Sequence, residues 1–219
     1  VAAISQNTEL SIADFDRDGK LDISVKYYPS NGANTTTKIF KQNSLNLLSE
    51  ISTTTSTTYS VLNGTPDFNN DGKPDLFIAH NTPSQLQVTL NNGSGGFGSP
   101  VYYTSTLSNG GRFGDWDNDG DIDMMSISGT NSLPSNALNF FRNSGSSSMT
   151  SLQNVVTGVF GLGGLALDYD KDGYRDLIFN STNSYSSLAR LRKYKNSFGY
   201  FALQTDLANS GNQFYYTSG

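Results

Sequence analysis

The side chains of this chain best suited to chemistry are aspartates, and they are concentrated. Two of its 19 acidic residues are glutamates, Glu9 and Glu50, and of the remaining 17 aspartates only Asp206 lies outside four nine-residue segments. These read Asp14-Phe-Asp-Arg-Asp-Gly-Lys-Leu-Asp22, Asp67-Phe-Asn-Asn-Asp-Gly-Lys-Pro-Asp75, Asp115-Trp-Asp-Asn-Asp-Gly-Asp-Ile-Asp123 and Asp168-Tyr-Asp-Lys-Asp-Gly-Tyr-Arg-Asp176. Each carries side-chain oxygens at positions 1, 3, 5 and 9 and a glycine at position 6, where the chain must turn sharply. Calcium is a hard cation that takes about six to eight oxygens in a flexible shell, and a tight loop supplies most of them. Crowding three to five carboxylates into nine residues costs mutual repulsion, which a merely solvated turn has no reason to bear four times. The pattern predicts four calcium loops. Four bound divalent ions take the formal charge from −5 to +3 (−5 + 8), so the acidity is a store of ligands and says little about partners.

The spacing also decides the kind of loop. An EF-hand needs a bidentate Glu at position 12, whereas position 12 here is Val25, Ile78, Ser126 and Phe179. Cysteine-laced calcium repeats are excluded because the chain has no cysteine. After position 9 each copy runs into strand formers: Ile23-Ser-Val-Lys-Tyr-Tyr28, Leu76-Phe-Ile-Ala79, Met124-Met-Ser-Ile127 and Leu177-Ile-Phe179. The loop therefore joins two strands of a hairpin. First ligands fall at 14, 67, 115 and 168, at intervals of 53, 48 and 53 residues, and a fixed period of this size marks a repeat architecture. A third strand ending in Asn follows a polar link in each period, at Thr37–Asn43, Leu86–Asn92, Leu138–Asn143 and Leu191–Asn196, and then a fourth. Four strands per period of about fifty residues is the anatomy of a β-propeller blade.

The phrase D-x-[DN]-x-[DN]-G-x-x-D followed by an apolar pair resembles the FG-GAP or VCBS repeats of integrin-α-type propellers, fungal lectins and bacterial surface proteins, and the resemblance covers essentially the whole chain. It implies an all-β fold, with residues 1–219 forming a single β-propeller domain of four-stranded antiparallel blades, either closed as a four-blade unit or part of a larger ring. It further implies that Asp14, Asp16, Asp18 and Asp22 bind Ca2+ by side chain while Lys20 lends its backbone carbonyl. The same roles fall to Asp67, Asn69, Asp71 and Asp75 with Lys73, to Asp115, Asp117, Asp119 and Asp123 with Asp121, and to Asp168, Asp170, Asp172 and Asp176 with Tyr174. About four ions are expected. Asn69 is the one neutral ligand, so ligand charge predicts that the second site is the weakest. Weak multi-site calcium binding is useful where the ion is about millimolar, which places the chain outside the cell.

Other features exclude more than they suggest. No run of about eighteen apolar residues spans a membrane. The strongest basic stretch, Arg190-Leu-Arg-Lys-Tyr-Lys195, reads as a strand with one solvated face, so nucleic acid is not an expected partner. Trp116 shares its loop position with Phe15, Phe68 and Tyr169 and belongs to the blade, and the lone His80 reads as a surface residue. Gly161-Leu-Gly-Gly164 precedes a strand and marks close approach of inner strands, not a phosphate cradle. One histidine and no cysteine assemble no nucleophile set, and the carboxylates are committed to calcium, so no enzyme is expected. The start at Val1 fits a processed mature chain or an excised fragment. Two functional classes stand: an extracellular recognition module binding glycan or a surface protein, and a structural spacer or assembly unit of a larger adhesin or filament. For the first, the amide- and hydroxyl-rich links between second and third strands, with Tyr27, Tyr28, His80 and Tyr185 nearby, offer a face for sugars. For the second, residues 1–13 and 207–219 both resemble the strand before a loop, which allows self-association through the terminal strands.

Overall fold

The computed structural model of the chain describes residues 9–27, 35–56, 60–81, 84–104, 108–128, 137–145, 148–156, 160–182 and 189–208. These form four antiparallel sheets, each a meander of four strands in chain order. The first contains β1 (Glu9–Ala13), β2 (Asp22–Tyr27), β3 (Thr35–Gln42) and β4 (Leu48–Ser56). The second contains β5 (Ser60–Gly64), β6 (Leu76–Asn81), β7 (Ser84–Thr89) and β8 (Val101–Thr104). The third contains β9 (Ser108–Gly114), β10 (Asp123–Ser128), β11 (Ala137–Asn143) and β12 (Met149–Val156). The fourth contains β13 (Phe160–Leu167), β14 (Asp176–Thr182), β15 (Ala189–Ser197) and β16 (Tyr200–Ala208). No helix occurs among the described residues, and none is long and apolar enough to cross a membrane. Each aspartate-rich segment joins the first two strands of its sheet, with Asp22 opposite Ala13, Asp123 opposite Gly114 and Asp176 opposite Leu167.

Successive sheets stack face to face, and the stacking explains the strand sequences. In β6 the run Leu76-Phe-Ile-Ala-His80 is buried at every position, because one face meets the first sheet and the other meets the third. In β2 burial alternates instead, and only Asp22, Ser24 and Lys26 are buried, because one face is uncovered. Three inter-sheet cores result. Phe15 and Ile39 meet Leu76 and Ile78; Phe68, Phe77 and Val88 meet Met124, Phe141 and Met149; Trp116, Met125 and Phe140 meet Leu177, Tyr194 and Phe201. In the first three loops the aromatic at position 2, Phe15, Phe68 or Trp116, thus plugs into the next sheet, which bears out the reading of Trp116, only 4% exposed, as a blade residue. Phe140 and Phe201 stack across the third junction at 4.1 Å between ring centroids.

The two ends of the stack remain open. Leu10 (66% exposed) and Ile12 (61%) lie on the face of the first sheet turned away from the second. Leu165 (70%) lies on the face of the fourth sheet turned away from the third. The described residues therefore do not close into a ring through these faces. The terminal expectation divides in two: β1 completes the first sheet, and residues 207 and 208 end β16 and do not begin a new pre-loop strand. Residues 209–219, and the links at 28–34, 82–83, 129–136 and 183–188 with Tyr28 and Tyr185, lie outside the described residues. Gly161 to Gly164 lie in β13, whose pairing with β14 shifts register between Gly161 and Gly163. In β15 Tyr194 is buried, while Leu191 is exposed on the face that also carries Lys193 and Lys195.

Candidate metal centre

Each loop is built by its own carboxylates. The position-1 aspartate caps the turn by accepting two backbone N–H groups, as when Asp14 takes those of Asp18 at 3.1 Å and Gly19 at 2.9 Å. Asp67, Asp115 and Asp168 do the same for their own positions 5 and 6. The position-5 aspartate then accepts the N–H of position 7, at 2.9 to 3.0 Å in all four loops. That bond holds the backbone at Lys20, Lys73, Asp121 or Tyr174, the residue whose own carbonyl is the expected backbone ligand. Two residues per loop are left-handed. Position 6 is glycine, as the turn requires, but position 4 is Arg17 (φ 60), Asn70 (φ 56), Asn118 (φ 60) and Lys171 (φ 63).

Position 3 is the oxygen ligand least engaged in building the loop. From the loop backbone Asp117 accepts a long bond of 3.3 Å, from the N–H of Asp119, while Asp16 Oδ1 and Asn69 Oδ1 are buried with no partner. A buried acceptor without a donor costs about 1–3 kcal/mol, which a cation at that point would relieve. The neighbouring carboxylates converge on the same place. Oxygens of Asp14, Asp16 and Asp18, of Asp115, Asp117 and Asp123, and of Asp168, Asp170 and Asp176 lie within 4.8 Å of one another in each set. An all-oxygen donor set of this kind, which in the first loop includes the residue with the unpartnered oxygen, fits a hard divalent ion, and the second loop carries the same residue types with the Asn69 amide in place of one carboxylate. The loops also touch in sequence. Asn70 Nδ2 donates to Asp121 Oδ1 at 2.7 Å, Asn118 Nδ2 donates to the Gly173 carbonyl at 2.7 Å, and Arg17 lies over Gly72.

Position 9 has a second task that spacing alone does not reveal. Asp22, Asp75, Asp123 and Asp176 are buried, and each accepts the N–H of its own position 2 on one oxygen. The other oxygen takes a third-strand N–H, from Gln42, Asn91, Asn143 or Asn196. Burial pushes Asp75 and Asp123 up to about 6 even though each accepts two backbone hydrogen bonds, which favour the charged form. The three asparagines carry the linkage onward to the preceding sheet. Nδ2 of Asn91 donates to the Phe15 carbonyl at 2.8 Å, that of Asn143 to Phe68 at 2.7 Å and that of Asn196 to Trp116 at 2.7 Å. The signal for this device was the Asn that ends the third strands at Asn143 and Asn196, whereas in the first two sheets the clamped residue, Gln42 or Asn91, stands one before the expected Asn43 or Asn92.

Cationic side chains from the third strand also reach the loops. Lys41 pairs with Asp16 and lies 3.5 Å from Asp18 Oδ2. Arg142 Nε lies 2.7 Å from Asp117 Oδ2, with Nη2 3.0 Å from Asp119 Oδ2. Lys195 Nζ lies 2.5 Å from Asp170 Oδ2 and 2.6 Å from Asp172 Oδ2.

At the other end of β2 and β6 is a buried polar layer. His80 is not a surface residue: it is 4% exposed, shares a 2.8 Å hydrogen bond with Gln87 Oε1, and Gln87 donates onward to Thr89. It is covered because both faces of β6 are. Lys26 is fully buried and pairs with Glu9 Oε2 at 3.3 Å; burial lowers it to about 8, against the opposing charge of Glu9.

Residues 67–126, from the first ligand of the second loop to β10 beyond the third, match the family model of the FG-GAP-like repeat. Over this stretch the chain is an FG-GAP-like repeat. The match contains two complete loops, and the same loop hydrogen bonds recur in the first and fourth sheets on either side of it. No curated protein matches the chain.

Proposed function

We propose that the chain is a calcium-stabilised extracellular recognition or adhesion module. Its sheets are propeller-type blades, and its loops are ion-filled struts along one end of the stack. The observation that carries this reading is the position-3 oxygen. Asp16 Oδ1 and Asn69 Oδ1 are buried with no protein donor to account for them, and Asp16 lies in a cluster with Asp14 and Asp18. The adhesive role is supported by the FG-GAP-like repeat and by the division of labour within each blade. The calcium end is committed to backbone and ion, which leaves the opposite end, above the Lys26 and His80 layer, for a glycan or a surface protein. A catalytic role is not proposed, because the aspartates that would act as acid or base are engaged with loop N–H groups and the ion.

A second reading, as an assembly unit of a larger adhesin or filament, is favoured by the exposed Leu10, Ile12 and Leu165. Tyr169, the position-2 aromatic of the fourth loop, has no following core to enter among the described residues: Lys193 Nζ lies 3.2 Å from its ring centroid, and its hydroxyl donates to Gln204. Glycan-array and cell-surface binding, measured in calcium and in chelator, test the two. A calcium-dependent ligand supports recognition. No ligand, together with self-association that Leu165→Lys abolishes, supports assembly.

A further inference from the structure

Each third-strand base occupies one repeated place. Lys41, Arg142 and Lys195 immediately precede Gln42, Asn143 and Asn196, the residues whose N–H is clamped by the position-9 carboxylate. In the second sheet the clamped residue is Asn91, so the corresponding position is Leu90. The loop that lacks a third-strand base is also the loop that lacks the position-3 carboxylate; the position-7 lysines, Lys20 and Lys73, pair with the position-5 aspartates of the first two loops at 2.7 and 2.9 Å and stand outside this exchange. Summing positions 1, 3, 5 and 9 with this third-strand residue gives −4 + 1, −3 + 0, −4 + 1 and −4 + 1, or −3 in every loop. The side chains meet as the sum suggests: in the first loop Asp16 Oδ2 pairs with Lys41 while Asp16 Oδ1 stays unpartnered.

We infer that Lys41, Arg142 and Lys195 set the calcium affinity of their loops as fixed positive charges beside the ion, and that Asn69 with Leu90 is the charge-compensated replacement for that pair. This rests on the calcium reading above. The base removes the excess repulsion that a fourth carboxylate brings and weakens the ion's attraction in the same measure. The second loop is then not the weakest site, although ligand charge alone predicts that it is. Lysine and arginine are both protonated at neutral pH, so the positive charges are present where calcium binds. A unit charge about 5 Å from a divalent ion, screened as in water, changes the binding constant about tenfold.

Trp116 gives a local readout. It is the only tryptophan and occupies position 2 of the third loop, so terbium luminescence excited through it reports that loop. The experiment displaces terbium with calcium on the full chain. Arg142→Met should tighten calcium binding about tenfold, Arg142→Lys should leave it within about threefold of the parent, and the gap should shrink as salt is raised. Lys41→Met should tighten a second site, read by calorimetry. Parent-like or weaker calcium binding in Arg142→Met and Lys41→Met, with the parent binding normally, overturns the inference and leaves the calcium reading standing. A parent that takes up no calcium overturns both.

Discussion

Replacing Asn143 by alanine tests how the sheets are locked together. Asn143 is fully buried, and its amide donates to the Phe68 carbonyl of the preceding sheet at 2.7 Å and to the Ile122 carbonyl at 3.1 Å. Alanine keeps the backbone bond to Asp123 but strands both acceptors. The Phe68 carbonyl lies inside the junction and loses the Asn143 donor at a cost of about 1–3 kcal/mol, and the partly exposed Ile122 carbonyl adds about 1 kcal/mol, so the total is about 2–4 kcal/mol. Asn143→Asp should cost at least as much, because it keeps the shape but sets an oxygen against the Phe68 carbonyl. Asn92→Ala is the control: Asn92 is exposed and accepts only local bonds from Ser94 and Gly96, so about 0.5–1 kcal/mol is expected. Urea unfolding in saturating calcium measures all three. An Asn143→Ala stability within 0.5 kcal/mol of Asn92→Ala, a margin well inside the ~2–4 kcal/mol expected, would refute the locking role.

Asp75→Ala strands the buried N–H groups of Phe68 and Asn91, so it should destabilise by about 2–4 kcal/mol in chelator as well as in calcium, whereas Asn69→Ala should matter only when calcium is present; urea midpoints under both conditions separate them. Lys26 sits at about 8 when folded against 10.5 when free, so between those values the unfolded chain holds a proton that the folded chain has shed. Stability should therefore rise by up to about 3 kcal/mol from pH 8 to 10.5 and show no contribution from this group below pH 8; Lys26→Met should remove that rise from the pH profile. Gly64→Ala should destabilise by more than 1 kcal/mol, on the order of an overpacked core site, because Gly64 has φ +143° and a Cβ there would lie 2.5 Å from the Phe113 ring of the next sheet; thermal unfolding measures it.

The loops, their period and the four strands per repeat were legible because ligand spacing and strand patterning are local properties. Positions 1 and 3 come together with position 5 in the first loop and with position 9 in the third and fourth, and Trp116 was identified by comparison with Phe15 and Phe68. What lay beyond the sequence was set by which faces are covered. His80 and Lys26 are buried only because a neighbouring sheet lies over them. The position-9 aspartates double as clamps because the third strand passes beside them, which no nine-residue window contains. The left-handed position 4 was half visible, in Asn70 and Asn118, and hidden at Arg17 and Lys171.

Calcium dependence of folding tests the central claim most directly. Thermal unfolding of the full chain should be followed in excess calcium, in chelator and after calcium is restored, with bound metal counted by elemental analysis. A site filled at a hundred times its dissociation constant adds about 2.7 kcal/mol, so the account predicts about four calcium ions per chain, a marked fall in melting temperature on chelation and full recovery on re-addition. An unchanged melting temperature in chelator, with metal removal verified, would contradict it.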